Sequence, residues 1–199
     1  SHYKVKSSFL DYDGYPAVLC TSINDEIVHG VPSERVLQNG DVLKLDMGIM
    51  HNGFHTDSAV TIVVGDGDDG KTKLINVTKE ALKVGIAKAK AGNTLGDIGS
   101  TIQEYVEGNG FTVVRDLVGH GIGRELHEPP QVLNYAEKGT GVELVEGMVI
   151  AIEPMVVAGT EETRLLADGF TFVTADGARA AHFEHTIVVT DSGPEILTQ

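Results

Sequence analysis

Two stretches of this 199-residue chain echo one another, NGDVLKLDMG from Asn39 and EGMVIAIEPM from Glu146. In each, a glycine turn leads into an apolar run that ends on an acid, so that Asp46 aligns with Glu153. Each copy is followed by a second strand-like run carrying a further acid, Asp57 in HTDSAVTIVV and Glu184 in FEHTIVV. An apolar run after a glycine turn recurs easily by chance. Acids at matching places point instead to duplication, and so to a fold of two related halves.

The runs AVLCTSI, DVLKLDMGIM and FHTDSAVTIVV read as a strand meander over residues 16 to 64, the last two joined at Asn52-Gly53, a pair that favours a two-residue hairpin turn. After the polar turn GDGDDGK, Leu74, Val77, Leu82 and Ile86 recur at helical spacing. A second helix is expected from Leu95 to Glu107, with Asn93-Thr94 as its cap and Gly108 as its stop. Strands return at MVIAIEPMVV, FTFV and HFEHTIVV, with a tight turn at Asp176-Gly177.

A two-residue Asn52-Gly53 loop makes paired residue numbers sum to 105, which sets Asp46 opposite Ala59 and makes Asp57 its diagonal neighbour. Two carboxylates on one face of a half-buried sheet repel and raise each other's pKa unless a cation lies between them. Hard oxygen ligands suit Mn, Fe(II) or Mg, and an added imidazole shifts the preference toward Mn, Fe, Co or Zn. The segment VGHGIGRELHEPP supplies two candidate imidazoles, His120 and His127, in a loop whose Gly119, Gly121 and Gly123 let backbone approach a ligand. Neither histidine belongs to a helical HExxH pattern.

The formal net charge of −14 comes from acids scattered along the chain with no Lys/Arg cluster against them, so direct nucleic-acid binding is not expected. The lone cysteine, Cys20, allows no internal disulfide, and the apolar runs are too short to cross a bilayer. A single cytoplasmic domain spanning residues 1–199 is expected.

The segments SINDEIVHGVP, LKLDMGIMHNGFHTDS, LVGHGIGRELHEPP, MVIAIEPMV and FEHTIVVT, in this order, resemble the consecutive signature blocks of type I methionine aminopeptidases. The resemblance covers nearly the whole chain from Tyr12 onward. It implies an α+β pita-bread fold of the creatinase/aminopeptidase kind, two pseudo-symmetric halves of curved antiparallel sheet backed by helices around a di-metal site. It also implies an enzyme that removes the initiator methionine from nascent proteins and peptides when the next residue is small. Two divalent ions (Co, Mn, Fe or Zn) would be held by Asp46, Asp57, His120, Glu153 and Glu184. Glu153 would double as general base, His127 would stabilise the oxyanion, and His29 in VHGVP would contact the scissile amide. Methionyl peptides, nascent proteins and the ribosome are the implied partners.

The methionine pocket of the family maps onto Tyr12, Tyr15, Cys20, Leu126 and Phe170, with Leu126 where an aromatic is common and Phe170 where a tryptophan is frequent. His182 replaces what is often glutamine. Proline-specific aminopeptidases and prolidases share the five ligands but usually carry a large extra N-terminal domain. Type II methionine enzymes carry an insertion for which the path from His127 to Glu153 has no room. A non-catalytic pita-bread binding module is the alternative of a different class. Relatives usually have a helical segment of about fifty residues before the Tyr12–Pro16 region, so an N-terminally shortened chain is expected. The outer sheet face of its first half would then lie open, leaving a monomer, or a dimer that pairs through that face.

Overall fold

The computed structural model describes residues 4–199. Eight strands form the largest sheet: β1 (Cys20–Ile23), β2 (Val42–Asp46), β3 (Ser58–Val63), β4 (Gly119–Gly121), β5 (Glu128–Val132), β6 (Val149–Ile152), β7 (Glu184–Thr190) and β8 (Gly193–Ile196). Their order is β5-β4-β6-β7-β3-β2-β1, all antiparallel, with β8 pairing the far end of β7. The sheet joins two halves across β7 and β3, where Glu184 lies opposite Ala59.

The first half is one long hairpin. Asp46 pairs with Ala59 and His51 with Phe54, the register set by a turn in which Asn52 and Gly53 both have positive φ. The second half repeats the device: Ile152 pairs with His185 and Met155 with His182, a constant register across both strand pairs. The two glycines that open the echo, Gly40 and Gly147, share the left-handed conformation, with φ of 88° and 85°. With Asp46 aligned on Glu153, these registers align Ala59 with Glu184 and Asp57 with His182. The second acids of the two halves are therefore offset by two residues. Because side chains alternate along a strand, an offset of two keeps both on the same face.

MVIAIEPMVV is two strands rather than one. Pro154 has no N–H for a ladder, and beyond it Met155–Val157 leaves the large sheet to pair with Ala180–His182 and Thr112–Val113. HFEHTIVV divides likewise at Phe183, so Glu153 and Glu184 sit where strands change sheets. The segment around His120 is a strand, not a loop. A Cβ on Gly119 would strike the carbonyl oxygen of Ala151, and one on Gly121 that of Pro129, so these glycines admit neighbouring strands, and Gly119 also lines the cavity described below. The strand expected at FTFV starts only at Phe172, because Asp168 accepts the N–H groups of Phe170 and Thr171 and holds them in a turn.

Helix α1 (Asp69–Ile86) starts inside the polar segment, since Asp68 caps it by accepting the N–H of Lys71. Helix α2 (Leu95–Gly108) carries a reciprocal capping box between Thr94 and Asp97. Their apolar faces, through Leu74, Leu82, Ile98, Ile102 and Val106, pack on Ile150, Ile152, Ile187 and Val189 behind the second half. The matching back face of the first half is open: Val60 and Ile62 are 44% and 46% exposed.

Ile62 and Ile187 occupy corresponding positions, opposite Leu43 and Ile150. Ile187→Ala is expected to cost about 2–5 kcal/mol, because it hollows a closed core, whereas Ile62→Ala at the open face is expected to cost less than about 1 kcal/mol. Urea unfolding of the two variants measures both; equal losses would mean that the first half's back face is covered.

Candidate active site

Asp46 ends β2, and Asp57 precedes β3 with its backbone held by Thr186, whose hydroxyl accepts the Asp57 N–H at 2.8 Å and donates to the Asp57 carbonyl at 2.9 Å. That cross-strand pair ties the first acid-bearing turn to β7, where Glu184 begins. Lys44, two residues before Asp46 and fully buried, donates to the carbonyls of Asn24 (2.8 Å) and Ala180 (3.2 Å), clamping β2 to the segment that leads into His182. On β4, His120 has its Nδ1 2.9 Å from the carbonyl oxygen of Gly121. An N–H there donates to that oxygen and leaves Nε2 as the lone-pair nitrogen, 3.6 Å from Glu153 Oε1.

Asp46, Asp57, Glu184 and His120 are buried and Glu153 nearly so. Burial first, and then mutual repulsion, pushes the carboxyls of Asp46, Glu153 and Glu184 well above the usual range; burial alone also raises Asp57. Burial lowers His120 to about 4. Asp46 Oδ1 and Glu184 Oε1 have no hydrogen-bond partner. Four convergent carboxylates, two of them with an orphaned oxygen, and a lone-pair imidazole fit divalent cations, and a protein-only network would leave those two oxygens unsatisfied. Asp57, His120 and Glu184 each offer one ligand atom within 4.8 Å of the others, and Glu153, His182 and Glu184 do the same.

This arrangement fixes a pH dependence. Carboxylates raised in the folded state take up protons on folding, so their contribution to stability falls as pH rises through the raised values. His120 acts in the opposite sense, but only between about 4 and its ordinary value, and is neutral above it. Lys44, lowered to about 7 by burial, also opposes the carboxylates above neutrality, yet lies outside the cluster. The gain in melting temperature on adding a divalent cation isolates the carboxylates, because the ion displaces their protons. That gain is expected to be larger at pH 8 than at pH 6; a gain independent of pH would contradict the raised carboxyls.

The acids line a cavity of about 600 Å³ together with the other residues given a metal, catalytic or pocket role from the sequence, Asp46, Asp57, His120, Glu153, Glu184, His29, His127, Tyr12, Tyr15, Cys20, Leu126 and Phe170, whereas His182 is not among its lining residues. His127 stands at the rim, exposed, its ring 4.3 Å from that of His120 and its Nδ1 2.7 Å from the Tyr12 hydroxyl. His29 is also exposed to the cavity, edge-on to Phe172 at 6.0 Å, and its φ of 58° holds a non-glycine residue in the left-handed region. The Tyr15 hydroxyl donates to the Gly30 carbonyl at 2.9 Å and so braces the turn that carries His29.

Phe9, Tyr15, Cys20, Ile122 and Leu126 make a separate apolar cluster with Phe170 against it, the Tyr15 and Phe170 rings meeting edge-on at 5.3 Å. Burial raises the Cys20 thiol, which stays protonated and apolar. Phe9, Leu117 and Met155 also line the cavity and were not singled out in the sequence. Met155 was within reach, two residues after Glu153. Nothing local marks Phe9, which arrives through the pairing of Lys6–Ser7 with Ile49–Met50.

Residues 2–191 match the family model described as Metallopeptidase family M24. The chain is 51% identical over 197 residues to a curated methionine aminopeptidase of Clostridium acetobutylicum, covering 98% of this chain and 79% of that protein. The crystal structure of a methionine aminopeptidase from Thermotoga maritima superposes with a TM-score of 0.97 at 50% identity, over 98% of this chain and 79% of that one. A prolidase structure from Pyrococcus horikoshii has a TM-score of 0.73 at 27% identity, over 92% of this chain and 48% of that one.

Proposed function

The chain belongs to metallopeptidase family M24, and from that membership and the chemistry of its cavity we propose that it removes the N-terminal methionine from peptides and proteins by metal-dependent hydrolysis. The observation that carries this reading is the juxtaposition of the buried acid and imidazole cluster with a closed apolar pocket in one cavity. The cluster suits a reaction at a peptide carbonyl. The pocket suits one unbranched apolar side chain.

Asp46, Asp57, His120, Glu153 and Glu184 would hold two divalent ions, with Co, Mn, Fe and Zn all compatible with this donor set. Bound there, the ions supply Lewis acidity and lower the pKa of water. Glu153, facing both the cluster and the cavity, accepts the proton of the attacking water and passes it toward the leaving amine. His127 donates to the oxyanion. When the Tyr12 hydroxyl donates to its Nδ1, the neutral ring carries its proton on Nε2. His29, which also lines the cavity, contacts the scissile amide.

From the resemblance to the type I methionine enzymes, Met-Gly, Met-Ala and Met-Ser peptides are expected to be cleaved in preference to Met-Leu. Leu126 and Phe170 line the pocket where larger rings are common, and norleucine is expected to replace methionine with little loss. A peptide panel scored by mass spectrometry checks both. Preference for Xaa-Pro bonds would favour a prolidase-like enzyme.

A further inference from the structure

His182 takes no part in the roles assigned above, yet it is among the most completely enclosed polar residues of the chain, at 1% exposure. Neither of its ring nitrogens has a hydrogen-bond partner. Its Nε2 lies 3.4 Å from Glu153 Oε2, on the carboxylate oxygen that His120 does not face. Two ligands of one ion, each about 2.0–2.2 Å from it, stand roughly 3.0–3.5 Å apart. A charge-assisted hydrogen bond would be nearer about 2.8 Å. The spacing is therefore that of two ligands on one cation. One atom each of Glu153, His182 and Glu184 lie within 4.8 Å of one another, as do those of Asp57, His120 and Glu184.

The register of the two halves gives a second, independent reason. With Asp46 aligned on Glu153, Asp57 is matched by His182, so the two residues hold the same place in the duplicated hairpin.

We infer that His182 is a sixth metal ligand, a second imidazole that joins Glu153 and Glu184 on one of the two ions. The inference rests on the di-metal reading of the cavity. It makes this centre richer in nitrogen, and so more selective for zinc and cobalt over manganese, than five ligands with one histidine would be.

Cobalt(II) loaded into the metal-free protein tests it on the unaltered chain, because each ligating imidazole contributes one strongly shifted, exchangeable ring N–H signal to the proton NMR spectrum. Two such signals are expected, from His120 and from the enclosed Nδ1 of His182. His182→Gln is expected to leave one signal and to weaken zinc binding at least about tenfold by calorimetry. A single signal in the unaltered protein with cobalt bound would overturn the inference while leaving the di-metal reading standing. Unchanged zinc affinity in His182→Gln alongside a loss in His182→Ala would also overturn it, since glutamine can keep a hydrogen bond to Glu153. Failure of the unaltered protein to bind cobalt or zinc at all would sink the di-metal reading and this inference together.

Discussion

Glu153→Gln is expected to lower turnover at least about a thousandfold while leaving the fold intact. General-base transfer alone is worth about 10²–10⁴ in rate, and the same carboxylate, 3.6 Å from His120, is also proposed as a metal ligand. Glutamine keeps the volume and can still ligate weakly through its carbonyl oxygen, but it cannot accept the water proton. Because it removes one of the buried carboxyls whose mutual repulsion raises their pKa, the metal-free variant is also expected to melt no lower than the parent protein. Near-normal turnover in this variant would remove Glu153 from the reaction.

His127→Ala is expected to reduce kcat by about a hundredfold or more while changing metal affinity little. Loss of one oxyanion donor costs about 10²–10³ in kcat, and the Nδ1 of His127 is engaged by the Tyr12 hydroxyl. Its ring packs edge-on to His120 at 4.3 Å without offering a ligand atom to the acid cluster, so metal affinity is expected to change only modestly. Steady-state kinetics beside calorimetry separates the two roles. If metal is lost and kcat per loaded centre is kept, His127 belongs to the ligand set.

The first hairpin was legible in the sequence because its register depends on a local signal, the Asn52-Gly53 turn, and the pairing of Asp46 with Ala59 follows by counting. The helices were legible for the same reason, through Thr94 as a cap and the spacing of Leu74, Val77, Leu82 and Ile86. What was not legible depends on contacts distant along the chain. Gly119 and Gly121 read as a loop rather than a strand because the strands they must admit, at Ala151 and Pro129, are remote in sequence. Phe170 was expected in a strand, but the Asp168 side chain binds the local N–H groups first and leaves that ring free to face Tyr15. The echo aligned Asp46 with Glu153, yet the correspondence of Asp57 with His182 rather than Glu184 emerges only from the paired registers.

The central claim is that the buried acids and the apolar pocket are one metal-dependent aminopeptidase site. Its most direct test is to remove metal from the purified protein, add back zinc, cobalt, manganese or iron(II) in steps, and follow free methionine released from a Met-Ala-Ser peptide. No release without metal is expected, then release that rises with added ion as the protein takes up two equivalents, and none from the same peptide with its amino group acetylated. Release that persists in a strong chelator, or cleavage that ignores the blocked amino terminus, would contradict the claim.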